Sequence, residues 1–352
     1  MAPQQTRQWI LSNPPHEKPV YEGEDATFKI QTIDLPEVGK EQVLIKNKYF
    51  SNDPAQRGWI QADTDPERLY TKPVLKGEPM RTYAVSEVVQ SNSDKLKVGQ
   101  LISGQTTWAE YDVVDAAGCN PIQVNEQAGI RATNFIGALG GTGLTAYYGL
   151  VDVAGFKAGE TVVVSGAAGA TGNVVVQIAK HVVGAKRVIG IAGGAKKCAW
   201  VESLGADVCV DYKAADFKEQ LLKATEGYVD VYFDNVGGEI LDLMLTRVKR
   251  FGRIAACGGV SAYNGEGQGI KNWLEIVKNR ITVKGFIVVD AIMAGRAGEI
   301  IGKLVAGVRE GKIKIGEDSE TVVPTKFEDV PKTWNLLFEG ANQGKLITEL
   351  TE

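Results

Sequence analysis

The chain has 352 residues and a mass of 37.9 kDa, more than one compact core holds, so two domains are expected. Its 39 basic and 43 acidic side chains give a net charge of −4, and no basic surplus points to nucleic acid or an anionic membrane as partner. Two histidines (His16, His181) and four scattered cysteines (Cys119, Cys198, Cys209, Cys257), with no C-x-x-C and no H-E-x-x-H, leave no ligand set for zinc and no disulfide scaffold, and they fit a reducing, cytoplasmic compartment.

In chain order, residues 1–135 read as β-rich. Strand-like runs at 43–50, 83–91 and 109–115 are separated by turn signals such as Asn52-Asp53-Pro54. Two uncharged stretches, 132–151 and 161–179, are broken by glycines and polar residues, so neither reads as a membrane span. Over 136–312 short apolar runs (161–165, 187–191, 208–210, 229–233, 253–257, 281–287) alternate with helical patterns at 171–183, 195–204, 216–225, 239–249 and 269–278. That alternation predicts an α/β fold, a Rossmann doubly wound parallel six-stranded sheet. Residues 313–352 carry a strand, a helix and a closing strand, expected to return to the first domain.

The run Ser165 to Gly172 (SGAAGATG) follows the first of these strands and opens its helix. Glycines there permit a tight turn and a close backbone approach to a pyrophosphate, and the helix N-terminus adds partial positive charge. The spacing is G-x-x-G-x-x-G, and a plain strand–helix turn built of small residues is the competing reading. After the second strand comes Ile191-Ala192-Gly193-Gly194-Ala195-Lys196-Lys197, with no acid for a ribose 2′-hydroxyl and two lysines able to bond a 2′-phosphate. NADP(H) is therefore the expected cofactor. No tyrosine has a lysine four positions on, so the pair used by short-chain alcohol dehydrogenases is missing, and with zinc excluded alcohol oxidation lacks a proton acceptor. Reduction of an activated C=C bond asks less: hydride goes to the β-carbon of an enone or enal, and a donor or two stabilise charge on the carbonyl oxygen.

Several segments resemble zinc-independent medium-chain dehydrogenases/reductases, the prostaglandin reductase, leukotriene hydroxydehydrogenase and alkenal double-bond reductase group. They are Ser51 to Arg57, Leu144 to Leu150 (LTAYYGL), Gly166 to Gly172, Phe233 to Gly238 (FDNVGG), Phe251 to Gly258, Ser261 to Asn264, Gly285 to Val288 and Asn342 to Lys345. The resemblance covers almost the whole chain and implies a GroES-like substrate domain before the Rossmann domain. It implies that Gly169, Ala170, Thr171 and Gly172 hold the pyrophosphate, that Lys197 rather than Lys196 takes the 2′-phosphate, and that Tyr212 lies beside it. It further implies that Asn235 runs along the cofactor. Cys257, Gly258, Val260, Ser261 and Tyr263 would pass the nicotinamide ribose, Phe286, Ile287 and Val288 would flank the ring, and Asn342 would reach the cofactor from the C-terminal segment. Tyr263 is the candidate oxyanion donor, with a wall residue as the alternative. Ala55 stands where the family has a tyrosine, so the substrate pocket differs there.

The sixth strand runs on into Val288 to Met293, and a long apolar edge of this kind is expected to pair with the same strand of a second subunit in a homodimer. An NADPH-dependent enone or enal reductase is the leading expectation. A quinone reductase of the same fold and a low-turnover NADP(H)-binding protein are the alternatives.

Overall fold

The structure, a computed structural model, describes residues 3–351. They form two compact units. One takes the chain up to Gly137 together with Thr321–Ala341 and the residues from Leu346 on; the other takes Ala138–Glu320 and Asn342–Lys345. In the first unit β1 (Gln5–Leu11) pairs antiparallel with β2 (Phe28–Asp34). The main strands are β3 (Gln42–Ser51), β4 (Arg81–Ser91), β5 (Leu101–Thr107), β6 (Tyr111–Asp115) and β7 (Cys119–Pro121), with one short helix α1 (Gln56–Trp59). Arg57 of α1 is buried and donates to the carbonyls of Pro15 and Glu17, which ties down the segment before β2.

The second unit opens with α2 (Gly141–Tyr147), continued as a π-helical turn through Val153. Five βα units follow: β8 (Thr161–Ser165) with α3 (Ala170–Gln177), β9 (Arg187–Ala192) with α4 (Ala195–Ser203), β10 (Val208–Asp211) with α5 (Phe217–Ala224), β11 (Val229–Asp234) with α6 (Gly238–Leu245), and β12 (Val248–Ala256) with α7 (Leu274–Asn279). Next come β13 (Thr282–Gly285), α8 (Val288–Met293) and α9 (Ala297–Arg309). The six strands lie parallel in the order β10-β9-β8-β11-β12-β13, the doubly wound arrangement expected from the sequence. The central strands β8 and β11 are buried almost throughout, which is why TVVVS and VDVYF read as continuous rather than alternating apolar runs. Their side chains Val163 and Tyr232 join Ile189, Ile254, Met244 and Leu221 in one core.

Three expected elements are corrected. The helix expected over 239–249 stops at Leu245, because Arg247 turns its guanidinium onto the Thr225 hydroxyl and carbonyl (2.8 Å each) and Val248 already pairs with Val229. The helix expected from 269 begins at Leu274, because Asp242 of α6 accepts from the Lys271 and Asn272 amides (2.7 Å each) and holds that stretch open. The strand expected over 281–287 and onward to 293 is four residues long, and Val288–Met293 is α8. A short apolar run does not reveal its own period. Asp290 in the first turn favours the helix, which buries Ala291 and leaves Met293 82% exposed.

The chain then passes through β14 (Glu320–Lys326), α10 (Val330–Glu339) and β15 (Lys345–Thr351). These complete the main sheet of the first unit, β14-β15-β3-β4-β5-β7 with β6 on β3. Residues 313–320, expected with the returning segment, stay with the second unit, where the Lys314 amide donates to Gln177 Oε1 (2.6 Å). α10 contributes Trp334, fully buried in edge contact with Phe28, Trp108 and Phe338 at centroid distances of 6.1, 5.9 and 5.1 Å. Truncation to Trp334→Ala empties the centre of this cluster and is expected to cost about 3–5 kcal/mol, read as a lowered midpoint in chemical denaturation.

Candidate functional site

The expected residues up to Val288 follow the carboxyl ends of the parallel strands, the edge at which open α/β sheets bind ligands. After β8 the chain turns at Gly166 (φ +57°), and Gly169 begins α3 with no side-chain cap and no acid in the first turn. Asn173 is the first residue of α3 whose amide bonds back, to Gly169 O at 3.1 Å, so the amides of Ala170, Thr171 and Gly172 have no acceptor within the helix. A Cβ on Gly172 would lie 2.2 Å from Gly166 O, so only glycine lets α3 start this close to the loop. The result is a backbone cradle suited to a pyrophosphate. Gly344 (φ +65°) closes its side: its amide donates to Ala168 O (2.8 Å), it bridges Gly169, and Asn342 Nδ2 donates to Gly344 O (2.8 Å).

At the ends of β9 and β10, Lys196 is exposed and Lys197 half-buried. Burial, then the nearby Lys213 ammonium, lower the Lys197 pKa. Tyr212 lies over Gly193, where a Cβ would come within 2.9 Å of the phenol oxygen. Asp211 Oδ1 accepts from the amides of Gly194 (2.7 Å) and Lys213 (2.9 Å), locking the two turns together, and those bonds hold its carboxyl below the usual range.

At the ends of β11 and β12, Asp234 is buried, and its Oδ1 accepts from Ser165 Oγ (2.9 Å), Tyr232 OH (2.7 Å) and the amides of Val236 and Gly237 (3.0 Å each). Asn235 Nδ2 donates to Ser165 O (2.7 Å). Cys257 and Gly258 donate their amides to Asp234 O, and Ser261 donates both its amide and its hydroxyl to Val236 O. Burial pushes the Cys257 thiol up to about 12, which keeps it a thiol and not a nucleophile. Tyr263 folds back so that its hydroxyl accepts from the Gly259 amide (3.4 Å), and burial raises its pKa. A cleft of about 440 Å³ lies between Cys257-Gly258 and Gly285-Phe286-Ile287, with Asp290 at its rim. Phe286 is wedged edge-on against Tyr148 and Phe233 (5.9 and 6.0 Å), over Gly149, where a Cβ would lie 2.2 Å from its ring.

Sequence reasoning gave no role to Asp234, Asp211, Lys213 or Gly149. Gly149 sits in the LTAYYGL segment and Asp234 in FDNVGG, so the motifs flagged both; Asp211 and Lys213 carried only the signal of flanking Tyr212. Among the described residues no three or more His, Cys, Asp or Glu side chains gather where they could hold a metal ion, and no helix is long and apolar enough to cross a membrane.

Residues 7–122 match the family model for the N-terminal domain of oxidoreductase, and residues 170–300 match the model for zinc-binding dehydrogenase. The NADPH-dependent curcumin reductase of Escherichia coli is 35% identical over 98% of this chain and 96% of its own length. Prostaglandin reductase 1 of Mus musculus is 34% identical over 98% and 99%. The crystal structure of CurA from Vibrio vulnificus in complex with NADPH superposes with a TM-score of 0.86 at 33% identity, covering 98% of this chain and 99% of that one. The chain belongs to the medium-chain dehydrogenase/reductase family, in the group that holds the prostaglandin and curcumin reductases.

Proposed function

We propose that the protein is a cytoplasmic, homodimeric, NADPH-dependent reductase of the activated C=C bond of α,β-unsaturated aldehydes and ketones. The observation that carries this reading is the uncapped α3 cradle facing a cationic turn with Lys197 half-buried, Lys213 near it and no acid at the end of β9. Gly169, Ala170, Thr171 and Gly172 take the pyrophosphate, and Lys197 and Tyr212 take the 2′-phosphate. Asn235, Cys257, Gly258, Val260 and Ser261 line the ribose path, Phe286, Ile287 and Val288 face the ring, and Asn342 closes the cradle. When bound, NADPH supplies the reducing equivalent for the enone β-carbon. Tyr263 then does the work of the chain: burial keeps its phenol protonated, the Gly259 amide occupies an acceptor site on its oxygen, and its O–H serves the carbonyl oxygen as charge develops there. The names of the curcumin and prostaglandin reductases support the reaction class.

The reaction is tested by following NADPH oxidation over enals, cyclic enones, arylbutenones and quinones; turnover of quinones alone would make this a quinone reductase. kcat/KM is expected to be at least about tenfold higher with NADPH than with NADH. Lys197→Ala should remove most of that preference and spare NADH kinetics, since a charge-assisted bond contributes about 1.5–3 kcal/mol, roughly 10- to 150-fold; loss on Lys196→Ala instead would move the site by one residue. Tyr263→Phe should lower kcat by about 10- to 100-fold with little change in KM, and because the Tyr263 pKa is raised, the donor persists into the alkaline range and kcat shows no loss there below the ordinary tyrosine pKa. An unchanged kcat makes Tyr263 a wall residue.

The dimer rests on the sheet edge. Among the described residues β13 pairs with β12 alone, Val283 is 46% exposed, and Ile292 and Met293 of α8, just after it in sequence, are exposed. Light scattering should give twice the 37.9 kDa of one chain, and Ile292→Lys should shift it toward the monomer. A fully active wild-type monomer would overturn the assembly.

A further inference from the structure

Cys198 of α4 and Cys209 of β10 bring their sulfurs to 3.0 Å from each other. Nothing in the reaction above uses them. The space in which they meet is opened by Gly190 of β9: a Cβ there would lie 3.2 Å from Cys209 Sγ and 2.7 Å from Val201. Cys198 is buried and Cys209 half-buried, so the pair is not sealed from solvent. Their place in the chain gives them a consequence. Cys198 directly follows Lys197 in α4, and Cys209 lies three residues before Tyr212, so each sulfur is held on the same short backbone segment as one of the side chains assigned to the 2′-phosphate.

We propose that Cys198 and Cys209 are a reversible thiol–disulfide site whose closure weakens NADPH binding. The chemistry is independent of the cofactor reading; only its effect rests on that reading. A hydroperoxide is the oxidant: two S–H bonds and the O–O bond break, one S–S bond forms, and the peroxide leaves as alcohol and water, having taken two electrons and both protons. The sulfurs close from 3.0 Å to about 2.05 Å. That draws the first turn of α4 toward β10 and moves Lys197 with it. Burial raises both thiol pKa values, Cys209 the further, and the carboxylates of Glu202 and Asp211 add to the effect, while Glu202 Oε1 accepts from the Cys209 amide (2.9 Å). The pair therefore reacts slowly at neutral pH and faster as pH rises.

The test treats the full chain with diamide, a diazene that takes the same two electrons and two protons to become a hydrazine, and then alkylates and digests it without reduction. The expected product is an intact chain lighter by two hydrogens, carrying one Cys198–Cys209 peptide link formed about tenfold faster at pH 8 than at pH 7. By fluorescence titration the oxidised protein should bind NADPH about tenfold more weakly, with NADH changed by less than about twofold, and dithiothreitol should restore it. Cys209→Ser and Cys198→Ser should each give neither the link nor the loss. Absence of the link, linkage through Cys119 or Cys257 instead, or a link that leaves NADPH affinity unchanged overturns the proposal. A reduced wild type that fails to bind NADPH overturns the cofactor reading, and the peptide map still decides the disulfide.

Discussion

One buried carboxylate oxygen holds the functional edge of the sheet together. Asp234 Oδ1 gathers a hydroxyl from β8, a phenol from its own strand and two amides of the following turn, and its backbone carbonyl takes two more amides from the end of β12. The strands on either side of the topological switch point are thus tied at their ends as well as along their ladder. A carboxyl group only 1% exposed depends on its donors, and removing them would leave buried polar oxygens uncompensated. The glycine turn after Ser165, the Asn235 turn and the Cys257–Tyr263 loop all depart from this point, so their mutual spacing is fixed before any ligand arrives.

The turns after β9 and β10 use an acid differently. The absence of Asp or Glu after β9 argues for a 2′-phosphate, yet Asp211 stands at the end of the neighbouring strand. Its inner oxygen is committed to the amides of Gly194 and Lys213. It therefore acts as a clamp between two turns, and on the proposed reading the charge for a 2′-phosphate comes from Lys197 and Lys213. What a carboxylate near such a turn does depends on where it spends its lone pairs, not on how many carboxylates lie nearby.

That distinction marks where the sequence stops being readable. β8, β9 and β11 were plain as apolar runs, because strands buried on both faces have little freedom of composition. The glycine loop was plain because Gly172 answers to a local backbone clash, with the carbonyl of Gly166 six residues earlier. The end of α6 and the start of α7 were not, since each is decided by a partner far along the chain: Thr225 for Arg247, and Asp242 for Lys271 and Asn272; α8 was not, because its apolar run is too short to show a period. The Cys198–Cys209 approach belongs to the same class. Eleven residues separate the two, one on a helix and one on a strand, and only the packing of α4 on the sheet shows that they meet.

The replacement of an expected edge strand by α8 changes how residues 286–288 are held. Had β13 continued, Phe286 to Val288 would have alternated between the two faces of the sheet, and every second side chain would have left the site. The strand instead ends at Gly285, and the Phe286 ring is fixed by Tyr148 and Phe233 over the bare backbone of Gly149. Ile287 is extended and Val288 opens the helix, so the three residues leave the sheet as a corner whose angle is set by that aromatic wedge. The LTAYYGL segment, far upstream in sequence, thereby governs the position of the cleft wall. Its glycine is a packing requirement of Phe286, and its tyrosine at 148 is one of the two surfaces against which the ring is pressed.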